Sequence, residues 1–148
     1  MQHTVTRLSH QISKVSICDA CIGSIQHLEN AIRFIFPEGF FIVSDDEVIK
    51  SSFGYIELSD CTANDVFCYF FRRSPSPQGA ILQGDPLSTV ELAELLERKD
   101  HILEIFMELY DFNCLHWRGV LLPCKTEGLS DHVTIEAYGE FPVTYFWE

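Results

Sequence analysis

Cysteines and acidic residues are the side chains in this sequence most able to do chemistry. Cys18-Asp19-Ala20-Cys21 is a C-x-x-C, a spacing that lets two thiolates share a zinc ion or act as a redox dithiol at a helix start. A four-ligand zinc site needs a second pair, and Cys114 with His116, or Cys124 with either, is what the chain offers. None of these has finger-like spacing, and only a weak strand precedes the motif where a redox site wants a firm one. The plainer reading makes Cys21 a core residue and Cys18 incidental, with Cys61 in a loop and Cys68 in the core. A second set, Glu94, Glu97, His101, Glu104 and Glu108, recurs at helical spacing and can present carboxylates and an imidazole together. It lacks the Glu-x-x-His pattern of di-iron helices, and no second helix matches it. The loop 60–65 alternates oxygens as a calcium loop does, but it has no glycine at the sixth position and Phe71 stands where the twelfth-position acid belongs. There is no P-loop, dinucleotide fingerprint, H-E-x-x-H or G-x-S-x-G. The chain is therefore read as non-enzymatic, without a metal or cofactor.

The acidic set must be positioned by the stretch 88–111, which has the clearest periodicity in the sequence. At 100° per residue, Leu92, Leu95, Leu96, Leu103, Phe106 and Tyr110 share one side, and the acids share the other. Ser88 followed by Glu91 fits a capping box. Lys99 falls near the centre of the apolar side, so it either snorkels to the rim or the Arg98-Lys99-Asp100 run breaks the helix in two. Helical spacing also recurs at Val5, Leu8, Ile12 and Val15, and more firmly over 19–36, where Cys21, Ile25, Leu28, Ile32 and Ile35 form a stripe ended by Pro37-Glu38-Gly39. Strands are predicted at 40–44, 53–58, 66–71, 114–122, 132–138 and 143–147. The VFCYFF run at 66–71 is apolar on both faces and is expected inside a sheet. Gly139-Glu140 fits a two-residue hairpin turn, and Pro142 suggests that the last strand lies at an edge or a bulge. The predicted fold is α+β, an antiparallel sheet or sheets packed on two main helices in the order α-β-β-β-α-β-β-β. Residues 55–57 leading into 66–70 resemble 134–136 leading into 143–146, either as an internal duplication or as partners in an antiparallel pair.

At 148 residues the chain suits a single domain, with a possible internal linker at 74–87 that opens on Ser74-Pro75-Ser76-Pro77. Twelve Phe, five Tyr and two Trp supply ample core material. Twenty-two acids against ten bases give a net charge of −12, which repels phosphates and so disfavours non-specific binding to nucleic acid or to an anionic membrane. No run approaches the ~20 apolar residues that span a bilayer, and the N-terminal stretch lacks a signal-peptide core. A cytoplasmic protein with reduced thiols is expected, although six cysteines also allow three disulfides.

The charge favours a basic protein partner, such as a nuclease or nucleic-acid-binding protein, which the carboxylates would block as toxin-immunity and counter-defence inhibitors do. The predicted docking face is Glu94, Glu97, His101, Glu104, Ile105 and Glu108, Ile105 being apolar among charges. The plainer reading is a solvated face that keeps the protein soluble. Phe146 and Trp147 offer an alternative contact surface beside Tyr145, whereas Trp117 reads as core. Nothing in the pattern specifies an oligomeric state. The runs FFIVS at 40–44, FGYIELS at 53–59 and VFCYFF at 66–71, taken after a first helix, resemble the opening of a type III secretion chaperone. That resemblance implies an effector-binding role. It departs from the family at the Ser-Pro stretch and at the C-terminus, where a hairpin stands in place of a closing helix.

Overall fold

Alternation governs residues 21–36 where helical spacing is expected. The computed structural model, which describes residues 1–8, 11, 13–76, 79–98, 101–123 and 131–148, forms strands here. Positions four apart share a face in a strand as well as in a helix, so the stripe of Cys21, Ile25, Leu28, Ile32 and Ile35 fits both periods in part. The β-branched and aromatic content decides for the strand. Ile32, Phe34 and Phe36 are buried, while Arg33 and Ile35 between them are partly exposed.

The chain runs β1 (His3–Leu8), β2 (Val15–Ser16), β3 (Cys21–Ile22), β4 (Ser24–Leu28), β5 (Ala31–Phe36), β6 (Phe41–Val43), β7 (Val48–Lys50) and β8 (Gly54–Ser59). A 3-10 turn at Ala63–Asp65 leads to β9 (Val66–Ser76) and β10 (Gly79–Leu87), then the helix α1 (Thr89–Glu97). Four strands close the chain: β11 (Ile102–Asp111), β12 (Cys114–Leu122), β13 (His132–Tyr138) and β14 (Pro142–Trp147). The fold is an antiparallel β-rich one with a single short helix, and this corrects the expected two main helices. The first helix is β1 and β2, and the 19–36 helix is β3, β4 and β5. The element order that resembled a secretion chaperone is therefore not present.

All described pairings are antiparallel. One sheet has the order β1-β14-β8-β5-β4, a second β10-β9-β13-β12-β11-β3, and a small third β2-β6-β7. The two large sheets face each other across one core, where Phe34 of β5 meets Trp117 of β12 edge to face at 5.0 Å between ring centroids. The chain passes between them at Gly23, at the 3-10 turn and at Gly139. The expected hairpin of the last two strands is thus a crossover, because β13 pairs with β12 and β9 whereas β14 pairs with β1 and β8. The last strand is interior to its sheet. Its proline is its first residue and pairs only with Leu8, where a missing N–H is tolerated. Ser74–Ser76 and Gly79–Leu87 of the proposed linker are paired in β9 and β10. Each large core side chain, among them Trp117, Tyr145, Phe34, Phe36 and Phe40, contributes roughly 1.5–3 kcal/mol by burial.

The long predicted helix divides. Ser88 caps α1, its Oγ accepting the Glu91 N–H at 3.0 Å, and Leu92, Ala93 and Leu96 are buried beneath it. It ends at Glu97 with Arg98 as the C-terminal cap, so the break at the Arg98-Lys99-Asp100 run is the alternative that holds, with 99 and 100 themselves outside the described residues. Residues 102–111 are strand, and a β-bulge between Ile105 and Met107 gives them their helix-like spacing. The residues paired with the inward positions Leu121, Gly119, Trp117 and Leu115 of β12 are Leu103, Ile105, Glu108 and Tyr110. Their spacing of two, three and two reads as an amphipathic stripe.

Candidate functional site

The bulge and the short helix disperse the predicted docking face. Glu94 and Glu97 are exposed on α1. His101 is buried with its Nδ1 lacking a partner among the described residues, and Ile105 is fully buried. Glu104 is half-buried in β11, where it pairs with Cys21 and Val120. Glu108 is turned inward, and one of its oxygens accepts the N–H groups of Ile17 at 2.6 Å and Cys18 at 3.1 Å and the Ser16 hydroxyl at 3.3 Å. The other oxygen accepts the Tyr110 hydroxyl at 3.0 Å, which itself accepts from Trp117 Nε1 at 3.2 Å. The six residues do not form one face, and only Glu94 and Glu97 remain fully available to a partner. Beside this network the buried Arg7 guanidinium lies 4.2 Å over the Tyr110 ring and donates to the Tyr145 hydroxyl and to the carbonyls of Leu8 and Gln11. These contacts tie the two sheets together. Tyr145 is fully buried, so its role is core packing, while Trp147 stacks on His3 at 5.3 Å.

The C-x-x-C is a turn and not a helix start. Asp19 takes a left-handed conformation (φ 66°), its N–H donates to the Ile105 carbonyl at 2.7 Å, and Ala20 accepts from the Ile105 N–H. Cys18, Cys21, Cys61, Cys68 and Cys114 are free thiols, and Cys124 lies outside the described residues. Burial, aided by neighbouring carboxylates, raises the pKa of Cys18, Cys21 and Cys114 and pushes Cys61 and Cys68 up to about 12. A raised pKa disfavours the thiolate that a nucleophile, redox dithiol or metal ligand needs. Among the described residues no three or more His, Cys, Asp or Glu side chains gather to hold a metal ion. His116, of the predicted zinc set, pairs instead with Glu136 at 3.0 Å.

The surviving acids line a groove. The strand β4 is the outer strand of the five-stranded sheet, and α1 lies against it, joined by a 2.9 Å hydrogen bond between His27 Nε2 and Thr89 Oγ1. Between them runs an open groove of about 540 Å³, lined on the strand side by Ile25, Gln26, His27 and Leu28. Four consecutive residues of one strand can line a groove only if the strand presents its edge, since alternate side chains point to opposite faces. The helix side contributes Val90, Ala93, Glu94 and Glu97. Leu28 and Val90 are exposed, and neither Glu94 nor Glu97 has an ion-pair partner among the described residues. The groove thus combines a strand edge and two carboxylates that are unpaired among the described residues with apolar lips. Sequence could show Glu94 and Glu97 as an acidic pair on a helix. It could not show β4, because that strand was hidden inside an apparent helical stripe.

The architecture defines an antiparallel protein of two large sheets and a small third, with a strand-edge groove. No family model, curated protein or solved structure matches the chain.

Proposed function

We propose that the chain acts by binding, and that it sequesters or blocks a basic protein partner by receiving an extended segment of it between β4 and α1. The observation that carries this reading is the groove wall of residues 25–28, a strand edge facing two unpaired carboxylates. A peptide strand added to a sheet edge gains affinity from main-chain hydrogen bonds and specificity from its alternate side chains. Apolar side chains of such a segment would rest on Ile25, Leu28, Val90 and Ala93, and its lysines or arginines would meet Glu94 and Glu97. The net charge of −12 would draw a basic partner in and speed encounter. Covering a basic surface in this way is how an immunity or counter-defence inhibitor would silence a nuclease.

An extended peptide of alternating lysine and valine, compared with one of alternating glutamate and valine, tests this. Only the lysine peptide is expected to shift the β4 backbone amides in NMR spectra and protect them from exchange. The double variant Glu94→Lys, Glu97→Lys should slow association roughly tenfold at low salt. Unperturbed β4 amides, or equally fast binding by the double variant, would refute the reading.

A further inference from the structure

The six-stranded sheet turns one face to the core, and its register sets rows of polar and aromatic side chains across the other. Paired positions align Phe71, His132 and Val120 in one row, Tyr69, Thr134 and Arg118 in the next, and Phe67, Glu136 and His116 in the third. A cavity of about 80 Å³ opens there, lined by Phe71, Arg118, His132 and Thr134. Thr134 is only 3 % exposed, and its Oγ1 has no hydrogen-bond partner among the described residues. In the adjoining row His116 has its Nε2 buried and likewise unpartnered. Buried polar atoms are nearly always paired in native proteins, so two orphans on neighbouring positions call for an explanation. Arg118 is exposed and has no ion-pair partner among the described residues, in a chain where acids outnumber bases. The cavity also has an aromatic wall. It is Phe71, whose ring lies over Gly84, where a Cβ would come within 2.7 Å of Phe71 Cε1.

We propose that this cavity is a binding subsite for the carboxylate group of a small aromatic acid. Its polar lining is rich in donors: the guanidinium fork of Arg118, the Thr134 hydroxyl and an imidazole N–H of His132, with no carboxylate among the described lining residues. A planar carboxylate matches the guanidinium fork with two parallel hydrogen bonds, and the Thr134 hydroxyl gains the acceptor it lacks. The exposed Arg118 side chain is the wall that shifts to admit it. Phe71 then receives an aromatic body in offset or edge-on contact. A phosphate dianion carries twice the charge into the field of a chain with net charge −12 and is the poorer fit. This site does not depend on the groove at β4.

Calorimetric and NMR titration of the full chain with benzoate, acetate and inorganic phosphate tests the assignment. Benzoate should bind and shift Phe71, Arg118, His132 and Thr134 most, with acetate roughly tenfold weaker for want of the ring and phosphate weaker still. Arg118→Gln replaces the guanidinium of an exposed side chain with a neutral amide and Thr134→Val keeps the volume, so both should fold, and each should weaken benzoate about tenfold. Absence of shifts at these four residues, unchanged affinity in Arg118→Gln, or phosphate binding more tightly than benzoate would overturn it.

Discussion

Glu108 has its carboxylate shared between three parts of the chain, the Ser16–Cys18 segment, Tyr110 and, through Tyr110, the core indole of Trp117. Its place in the sequence, between Met107 and Leu109 in an amphipathic pattern, marks it as a solvated acid, and nothing local distinguishes it from Glu94 or Glu97. The difference is energetic. Removing a partner from a backbone N–H that is part-buried leaves the donor desolvated and unpaired, at about 1–3 kcal/mol. Glu108→Ala orphans the N–H groups of Ile17 and Cys18, so it is expected to lose stability by about that amount. Glu108→Gln keeps an acceptor oxygen and should lose less. Glu94→Lys and Glu97→Lys, on exposed helix positions, should stay within about 0.5 kcal/mol of wild type. Urea midpoints at unchanged denaturant slope will rank them. A Glu108→Ala protein as stable as wild type would mean that the carboxylate holds nothing together.

Elements were legible where two periods could not be confused. The runs 114–122 and 132–138 correspond to β12 and β13, and 143–147 to β14 less its first residue, because alternation there is clean and turn residues bound it. The Ser88 cap and the buried Leu92 and Leu96 were legible for the same reason. Residues 19–36 and 102–111 were not, since four-residue spacing serves both a helix and a strand, and the bulge after Ile105 adds the three-residue step that strands otherwise lack. The segments that echo each other, 55–57 with 134–136 and 66–70 with 143–146, are not partners: β8 pairs with β14 and β9 with β13, so each echo joins strands of different sheets and antiparallel pairing does not explain it. The burial of Leu103 survives the change from helix to strand, as it is 0 % exposed and its side chain would contact any Cβ placed on Gly119. Leu103→Ala is expected to cost about 2–5 kcal/mol. Calorimetric melting of that variant at or near the wild-type temperature would show that the bulged strand is not part of the cooperative core.

At the scale of the whole molecule, charge was legible and its arrangement was not. Composition gives −12, but which acids are free depends on which sheet each strand joins, and the crossings at Gly23 and Gly139 leave no local mark of their destination. Among the described residues the ion pair between permanently charged groups is Arg33 with Glu57, and His116 hydrogen-bonds Glu136, so most of the twenty-two acids are not neutralised by a neighbour. Such an excess repels itself and destabilises the compact state. Salt should then act in opposite directions on two measurements. Raising ionic strength from about 10 mM to 100 mM shortens the screening length from about 30 Å to about 10 Å, which relieves the repulsion and should raise the melting temperature by a few degrees. The same screening removes the attraction between Glu94 and Glu97 and a lysine-bearing segment, so association of the lysine–valine peptide should slow while its dissociation changes little. If the melting temperature falls with salt, the carboxylates are engaged in stabilising contacts. If association is indifferent to salt while the peptide still protects β4, the strand edge recognises main chain alone and the acidic wall of the groove plays no part in choosing the partner.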